Sequence, residues 1–149
     1  MKIKLIDFGA ENLPKRAHYN DAGADVYSTI DLGLLPGQTA KIPLGFGLQL
    51  PDGFMAVTHS RSSMALKGLV AQNAPIDSGY SGEIHAIVTN TGRNTIHISK
   101  GDRIAQMVIM PIVLSDFVLD LGDERGSNGF GSTGVNGWKK KKIRHGFLI

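Results

Sequence analysis

The sequence predicts an all-β domain (a sandwich, jelly roll or barrel), and three observations support this. Short β-type segments alternate with turn signals, one brief stretch alone reads as helix, and 19 of the 149 residues are glycine against an average near ~7%. A glycine excess of that size serves turns, close backbone approaches, or both. With 42% hydrophobic and 19% charged residues, the chain has the make-up of one ordinary domain that buries a core.

The predicted strands are Lys2–Ile6, Asp25–Thr29, Gln38–Pro43, Phe46–Leu50, Phe54–His59, Glu83–Asn90, Asn94–Ser99 and Ile104–Val113. Their separators carry turn chemistry: Leu35-Pro36-Gly37, Pro51-Asp52-Gly53, Thr91-Gly92-Arg93 and Lys100-Gly101-Asp102. Thr95-Ile96-His97-Ile98-Ser99 alternates with period two, the pattern of a half-buried strand. Ser62–Lys67 is the helical stretch, with Ser62 available as its N-cap and Gly68 as its stop. There is no internal repeat. Composition shifts after Leu121, which divides the chain into a β domain at 1–121, a glycine-rich arm at 122–134 and a basic tail at 135–149. The arm holds glycine, small polar and charged residues and one aromatic, Phe130, so it is expected to be mobile and to order on a ligand. The tail is expected to be disordered.

Several function classes drop out on composition. No apolar run approaches the ~18 residues of a membrane helix, and the start Met1-Lys2-Ile3-Lys4 alternates, so neither a membrane span nor a signal sequence is expected. The absence of cysteine excludes a disulfide scaffold, cysteine–zinc sites and thiol catalysis, and fits a reducing cytoplasm. The formal charge of +3 arises in the tail, where Lys139–Lys142 and Arg144 supply five of the 16 basic residues. Ahead of them, 11 basic residues face all 13 acidic ones, a net of −2 that does not suit a nucleic-acid-binding body. His18, His59, His97 and His145 lie in unrelated segments and form no metal set.

Five short stretches combine glycine with groups suited to phosphate or general-base chemistry. In Asp21-Ala22-Gly23-Ala24-Asp25, a carboxylate following glycine can hold Mg²⁺ directly or through water, or cap a turn. His59-Ser60-Arg61-Ser62-Ser63 sets a guanidinium and hydroxyls beside free N–H groups, an anion site or a plain capped helix. In Asn73-Ala74-Pro75-Ile76-Asp77-Ser78-Gly79-Tyr80-Ser81-Gly82-Glu83, Asp77 can activate water and Tyr80 can stack on a sugar or base. The plain alternative there is a hairpin with a turn aspartate and a packed tyrosine. Gly101-Asp102-Arg103-Ile104-Ala105-Gln106 offers Gln106 to a phosphate or a water, with Asp102 and Arg103 as an ion pair or turn bonds. In Arg125-Gly126-Ser127-Asn128-Gly129-Phe130-Gly131-Ser132-Thr133-Gly134, glycines admit phosphate to the backbone and Phe130 can stack on a flat ring. That stretch lacks the Gly-Lys-Ser/Thr ending of a Walker loop, and a flexible linker is its plain alternative.

All five in this order on an all-β chain resemble the homotrimeric dUTPase family across about residues 1–134, most closely in the last stretch. The resemblance implies a jelly-roll-like fold with one short helix, Mg²⁺ as cofactor, and hydrolysis of dUTP to dUMP and pyrophosphate. By the same resemblance, Asp25 sits by the Mg²⁺–triphosphate through water, and Arg61, Ser62 and Ser63 hold phosphates. Asp77 deprotonates the attacking water, and Gln106 binds an α-phosphate oxygen or that water. Tyr80 packs on deoxyribose, Asn73 and Ile76 belong to the stretch that reads uracil, and His85 matches a position where some members touch ligand. Arg125, Gly131, Ser132 and Thr133 close on the phosphates with Phe130 over uracil. Sites shared among three subunits follow from the same resemblance.

The chain departs from the family pattern in three places. Ser60 stands where the family usually has proline, and Ser81 where it often has arginine or glutamine. Asn73 to Asp77 spans four residues where six are common, so either the hairpin is shorter or Ala71 takes the asparagine's place. A dCTP deaminase of similar fold is the nearest rival. That family carries a catalytic glutamate where this chain has Ile87, and an arginine where it has Leu66, and isoleucine cannot shuttle protons. A non-catalytic nucleotide-binding regulatory module is the second rival.

Overall fold

Eleven strands and one short helix form within residues 1–119, the part of the chain that the computed structural model describes. In chain order they are β1 (Lys4–Asp7), β2 (Ala24–Tyr27), β3 (Leu32–Leu34), β4 (Thr39–Pro43), β5 (Phe46–Gln49) and β6 (Phe54–His59). After them come α1 (Ser62–Ala65), β7 (Leu69–Ala71), β8 (Pro75–Ile76), β9 (His85–Asn90), β10 (Ile96–Ile98) and β11 (Arg103–Pro111). All belong to a first unit, Met1–Leu114; a second comprises Ser115–Ile149, whose described residues Phe117, Val118 and Leu119 are exposed. The expected arm, with Arg125, Phe130, Gly131, Ser132 and Thr133, and the expected basic tail lie outside the described residues.

Every predicted strand forms, with ends displaced by at most two residues. Three further strands, β3, β7 and β8, are two or three residues long, too short for alternation to show in sequence. Pairing is antiparallel throughout the described residues, in sheets ordered β2-β11-β6-β8, β4-β9-β7, β1-β5 and β10-β3. These sheets stay open, so among the described residues the expected all-β fold with one short helix forms without closing into a barrel. One core joins them: Val26 of β2, Leu34 of β3, Ile42 of β4, Phe46 of β5, Val88 of β9 and Ile104 of β11 are all 1% exposed or less.

The turns work as their sequences indicate. Gly37, Gly53 and Gly101 take φ of +77°, +81° and +88°, a left-handed conformation that strains any residue with a Cβ. In β9, Ala86, Val88 and Asn90 point inward. Asn90 is fully buried, and its amide donates to the carbonyls of Leu34 and Asn94 while accepting from Gly92 N–H. A buried polar side chain is tolerated when its bonds are made, as here.

Two local expectations are corrected. Ser62 is the first helical residue and not the cap; Arg61 occupies the N-cap position in extended conformation, with no side-chain cap bond. Its guanidinium is committed elsewhere, as described below. Gly68 does end the helical turn, at φ +93°. The stretch 73–83 is not a simple hairpin, because β8 pairs with β6 while β7 and β9 pair with each other. Residues 72–74 therefore carry the chain from one sheet to another.

Candidate active site

Strand register alone brings three of the five stretches together. Gln106 on β11 lies opposite Asp25 of β2 on one side and His59 of β6 on the other. The chain then leaves β6 through Ser60 and Arg61 into α1, which carries the second stretch to the same end of the sheet. A bulge in β11 between Arg103 and Ala105 shifts the register there, and bulges of this kind re-aim side chains.

Asp25 sits at the centre. Its Oδ1 accepts from Arg61 Nε at 2.7 Å and its Oδ2 from Arg103 Nη1 at 3.2 Å, while Arg61 Nη1 donates to the Arg103 carbonyl at 3.2 Å. The Asp25 and Arg61 side chains are 17% and 21% exposed, and Arg103 is about half exposed. Water screens such a cluster less than a surface pair. Of the two options for Asp102 and Arg103, Asp102 takes the turn bond, accepting Ser99 N–H, and Arg103 pairs with Asp25 instead. A guanidinium has five N–H donors, and these bonds leave several of them for an anion.

Around the cluster opens a cleft of about 290 Å³, lined by Asp25, Arg61, Ser62, Ser63, Arg103 and Gln106. A neighbouring cavity of about 580 Å³ is lined by His59, Ser60, Ala71, Asn73 and Gln106 among others, so Gln106 borders both. Gln106 is fixed from two directions. Its Nε2 donates to the Ser60 carbonyl at 3.0 Å, and a Cβ added at Gly23 would lie 2.5 Å from its Oε1 and 3.0 Å from its own Cβ. Ser60, the residue in the proline's place, also accepts Ala71 N–H through Oγ at 2.8 Å. Ala71 is buried and Asn73 is exposed at the cavity rim.

Asp77 lies elsewhere. Ile76 pairs with Ala56, which puts Asp77 one step further along β6, beside Met55 and away from His59. At ~3.3 Å per residue and ~4.8 Å per strand, four residues along and three strands across separate it from Asp25 by about 20 Å. Its carboxylate is exposed, and its carbonyl accepts Tyr80 N–H. Ile76 is half-buried against the core. Tyr80, 46% exposed, donates its hydroxyl to the Glu83 carbonyl, and His85 Nδ1 lies 3.0 Å from that same carbonyl. Of the predicted residues that are described, Asp25, Arg61, Ser62, Ser63 and Gln106 come together, Asn73 borders the adjoining cavity, and Ile76, Asp77, Tyr80 and His85 form a second group.

Two residues of the cleft region carry no binding or catalytic role in the sequence. Arg103 is half of an Asp-Arg pair in sequence, and neighbour pairing masks its long-range partner. His59 reads as an isolated histidine, and only the β6–β11 register shows what it faces. As to metals, no group of three or more His, Cys, Asp or Glu side chains is placed to hold an ion among the described residues.

A family model described as dUTPase matches residues 10–134. A deoxyuridine 5'-triphosphate nucleotidohydrolase of Cutibacterium acnes is 44% identical over 133 residues, covering 85% of this chain and 88% of that one. One from Clostridium tetani is 44% identical over 140 residues, covering 90% and 96%. Among solved structures, a point mutant of the Staphylococcus bacteriophage 80alpha dUTPase with dUpNHpp superposes with TM-score 0.81 at 28% identity, covering 90% of this chain and 99% of that one. A point mutant of the dUTPase of S. aureus phage phi11, described for its coordination of a structural Mg(II) ion, gives TM-score 0.77 at 25% identity, covering 83% and 99%.

Proposed function

The chain belongs to the dUTPase family, and on that basis we propose that it hydrolyses dUTP to dUMP and pyrophosphate by attack of water on the α-phosphorus. One observation carries the reading: three stretches distant in sequence converge on one cleft of guanidinium, hydroxyl and amide donors. Phosphoryl transfer needs that kind of positioning and charge neutralisation more than covalent catalysis.

Each group then has a task. Arg61, Ser62 and Ser63 donate to phosphate oxygens, and Gln106 holds an α-phosphate oxygen or the water. Asp77 takes the water's proton as the new P–O bond forms and the bond to the β-phosphate oxygen breaks. Asn73 and Ile76 belong to the stretch that reads uracil, with His85 beside it, and Tyr80 packs on deoxyribose. Arg125, Gly131, Ser132 and Thr133 close on the phosphates, with Phe130 over the base. Magnesium, when bound, supplies neutralisation of the triphosphate charge. The donor set fits it through water, because both Asp25 oxygens already accept from guanidinium groups and this ion keeps several waters of its own. Turnover of dUTP also limits uracil in DNA and supplies dUMP for thymidylate synthesis.

The site is shared within a homotrimer. Support comes from the separation of about 20 Å between Asp77 and Asp25, too far for one chain to bring both to one triphosphate. Exposed apolar side chains at Val113, Leu114, Phe117, Val118 and Leu119 suit packing on a neighbour.

The deciding assay offers the purified protein with Mg²⁺ dUTP, dCTP, dTTP or UTP and follows pyrophosphate and ammonia. Pyrophosphate from dUTP is expected; ammonia from dCTP identifies the deaminase instead, and binding without turnover identifies a regulatory module. For the shared site, full-length Asp77→Asn chains are co-refolded with chains truncated before Arg125. Random equal mixing restores about a quarter of sites, whereas trimers as inactive as both parents refute sharing.

A further inference from the structure

Tyr80 does not present its hydroxyl outward. The group is turned back onto the chain, and the backbone that follows it is tied to a neighbouring turn. The phenol donates to the Glu83 carbonyl at 2.9 Å. His85 Nδ1 approaches that same carbonyl at 3.0 Å. The Glu83 side chain reaches another element: its Oε1 accepts Gly45 N–H at 2.9 Å, in the turn between β4 and β5. Its Oε2 lies 3.8 Å from His85 Nε2. Next to it, the Ile84 carbonyl accepts Leu44 N–H and Ile84 N–H donates to the Phe46 carbonyl, which fastens the segment across that turn and the start of β5.

Two glycines make this fit possible. A Cβ on Gly82 would meet Tyr80 Oη at 2.6 Å, so in this pose the ring leaves no room for a side chain there. A Cβ on Gly47 of β5 would meet the Gly82 carbonyl at 2.7 Å, so that carbonyl lies flat on the strand. Gly45 itself, at φ +75°, has no room for a Cβ beside Ala10, which fixes the N–H that Glu83 grips. The tyrosine ring is thus held in one pose by an anchor that reaches a different pair of strands.

We propose that Glu83 is a positioning residue for substrate selectivity: by tying the Tyr80–His85 segment to Gly45, it holds the Tyr80 ring where a 2'-hydroxyl would collide. This rests on the reading of Tyr80 as the residue packed on deoxyribose. The physical reason is that rejecting an added hydroxyl by shape alone is a weak form of discrimination that tolerates little slack in the wall. A ring free to shift by about 1 Å admits the extra oxygen, and misplacement on that scale has large kinetic consequences.

The test compares kcat/KM for dUTP and UTP in the full-length protein and in Glu83→Ala, Glu83→Gln, Tyr80→Phe and Tyr80→Ala, with thermal midpoint and oligomeric mass recorded for each. Glu83→Ala should lower the dUTP-to-UTP ratio by roughly tenfold, chiefly by raising KM for dUTP and lowering it for UTP. Glu83→Gln keeps an oxygen for Gly45 N–H and should restore most of the ratio. Tyr80→Phe, which removes only the hydroxyl, should fall between. A folded Glu83→Ala protein with an unchanged ratio overturns the proposal. If it does not fold, Tyr80→Phe decides, and an unchanged ratio overturns it equally. Tyr80→Ala separates the two readings. A ratio altered there but not in Glu83→Ala refutes the anchor alone, and one altered in neither refutes the placing of Tyr80 at the sugar.

Discussion

At the Asp25 cleft the central side chains are braced: Asp25 by Arg61 and Arg103, Gln106 by the Ser60 carbonyl and the bare Gly23 backbone. At the Asp77 turn the carboxylate stands exposed, and the order nearby belongs to Tyr80, Glu83 and His85. One region is pre-organised within a single chain, which suits the charge neutralisation proposed for it, since reorganisation during reaction is costly. The other presents the carboxylate proposed as the base, about 20 Å from that cleft. If the site is shared between subunits as proposed, this difference is the reason that catalysis depends on assembly.

Four substitutions put that contrast to the test. The largest effect is expected from Asp77→Asn, which keeps the shape and removes the base. Steady-state turnover should fall ~10²–10⁴-fold while calorimetry still detects binding of a non-hydrolysable dUTP analogue. Near-normal turnover refutes Asp77 as the base. Next is Gly23→Ala, where the new Cβ displaces the Gln106 amide; turnover should drop by up to about 10²-fold with little loss of thermal stability. An unaltered rate means that Gln106 does not need its observed pose.

Asp25→Ala should act on folding as well as on activity. It leaves two guanidinium groups in a partly buried cluster without their shared carboxylate, at a cost of roughly 1–3 kcal/mol in urea unfolding, less than a fully buried pair because both partners still reach water. An unchanged urea midpoint refutes Asp25 as the organiser of the cleft. The smallest effect belongs to Ser60→Ala, which leaves Ala71 N–H without its acceptor and should lower stability by about 1 kcal/mol in the same measurement. A stability equal to that of the parent shows that water replaces the serine there.

Much of the fold was legible because strands of four or more residues leave a pattern of apolar residues bounded by glycine, proline and aspartate. Strand β6, Phe54–His59, matches its prediction residue for residue, and β10 keeps its alternation, with His97 out and Ile98 in. The short strands β3, β7 and β8 left no such pattern, since two or three residues cannot display a period. The helix start was misread for another reason. Ser62 has a capping side chain, but Arg61 is drawn into the N-cap position by Asp25, 36 residues earlier, and local propensity yields to that tertiary bond.

Residue type and short-range spacing were enough to give the chemical inventory and the strand–turn order: which positions carry carboxylate, guanidinium, hydroxyl and amide groups, and that glycines flank them. These are local facts, and a linear chain displays them in full. Which of these groups meet was settled by folding. Arg103 turns to Asp25 and not to Asp102, Gln106 leans on Ser60, and Glu83 reaches Gly45, because antiparallel register and one bulge bring residues 38 to 78 positions apart within 3.2 Å of each other. No sequence spacing encodes such distances, since they exist only once several strands have paired around a common core.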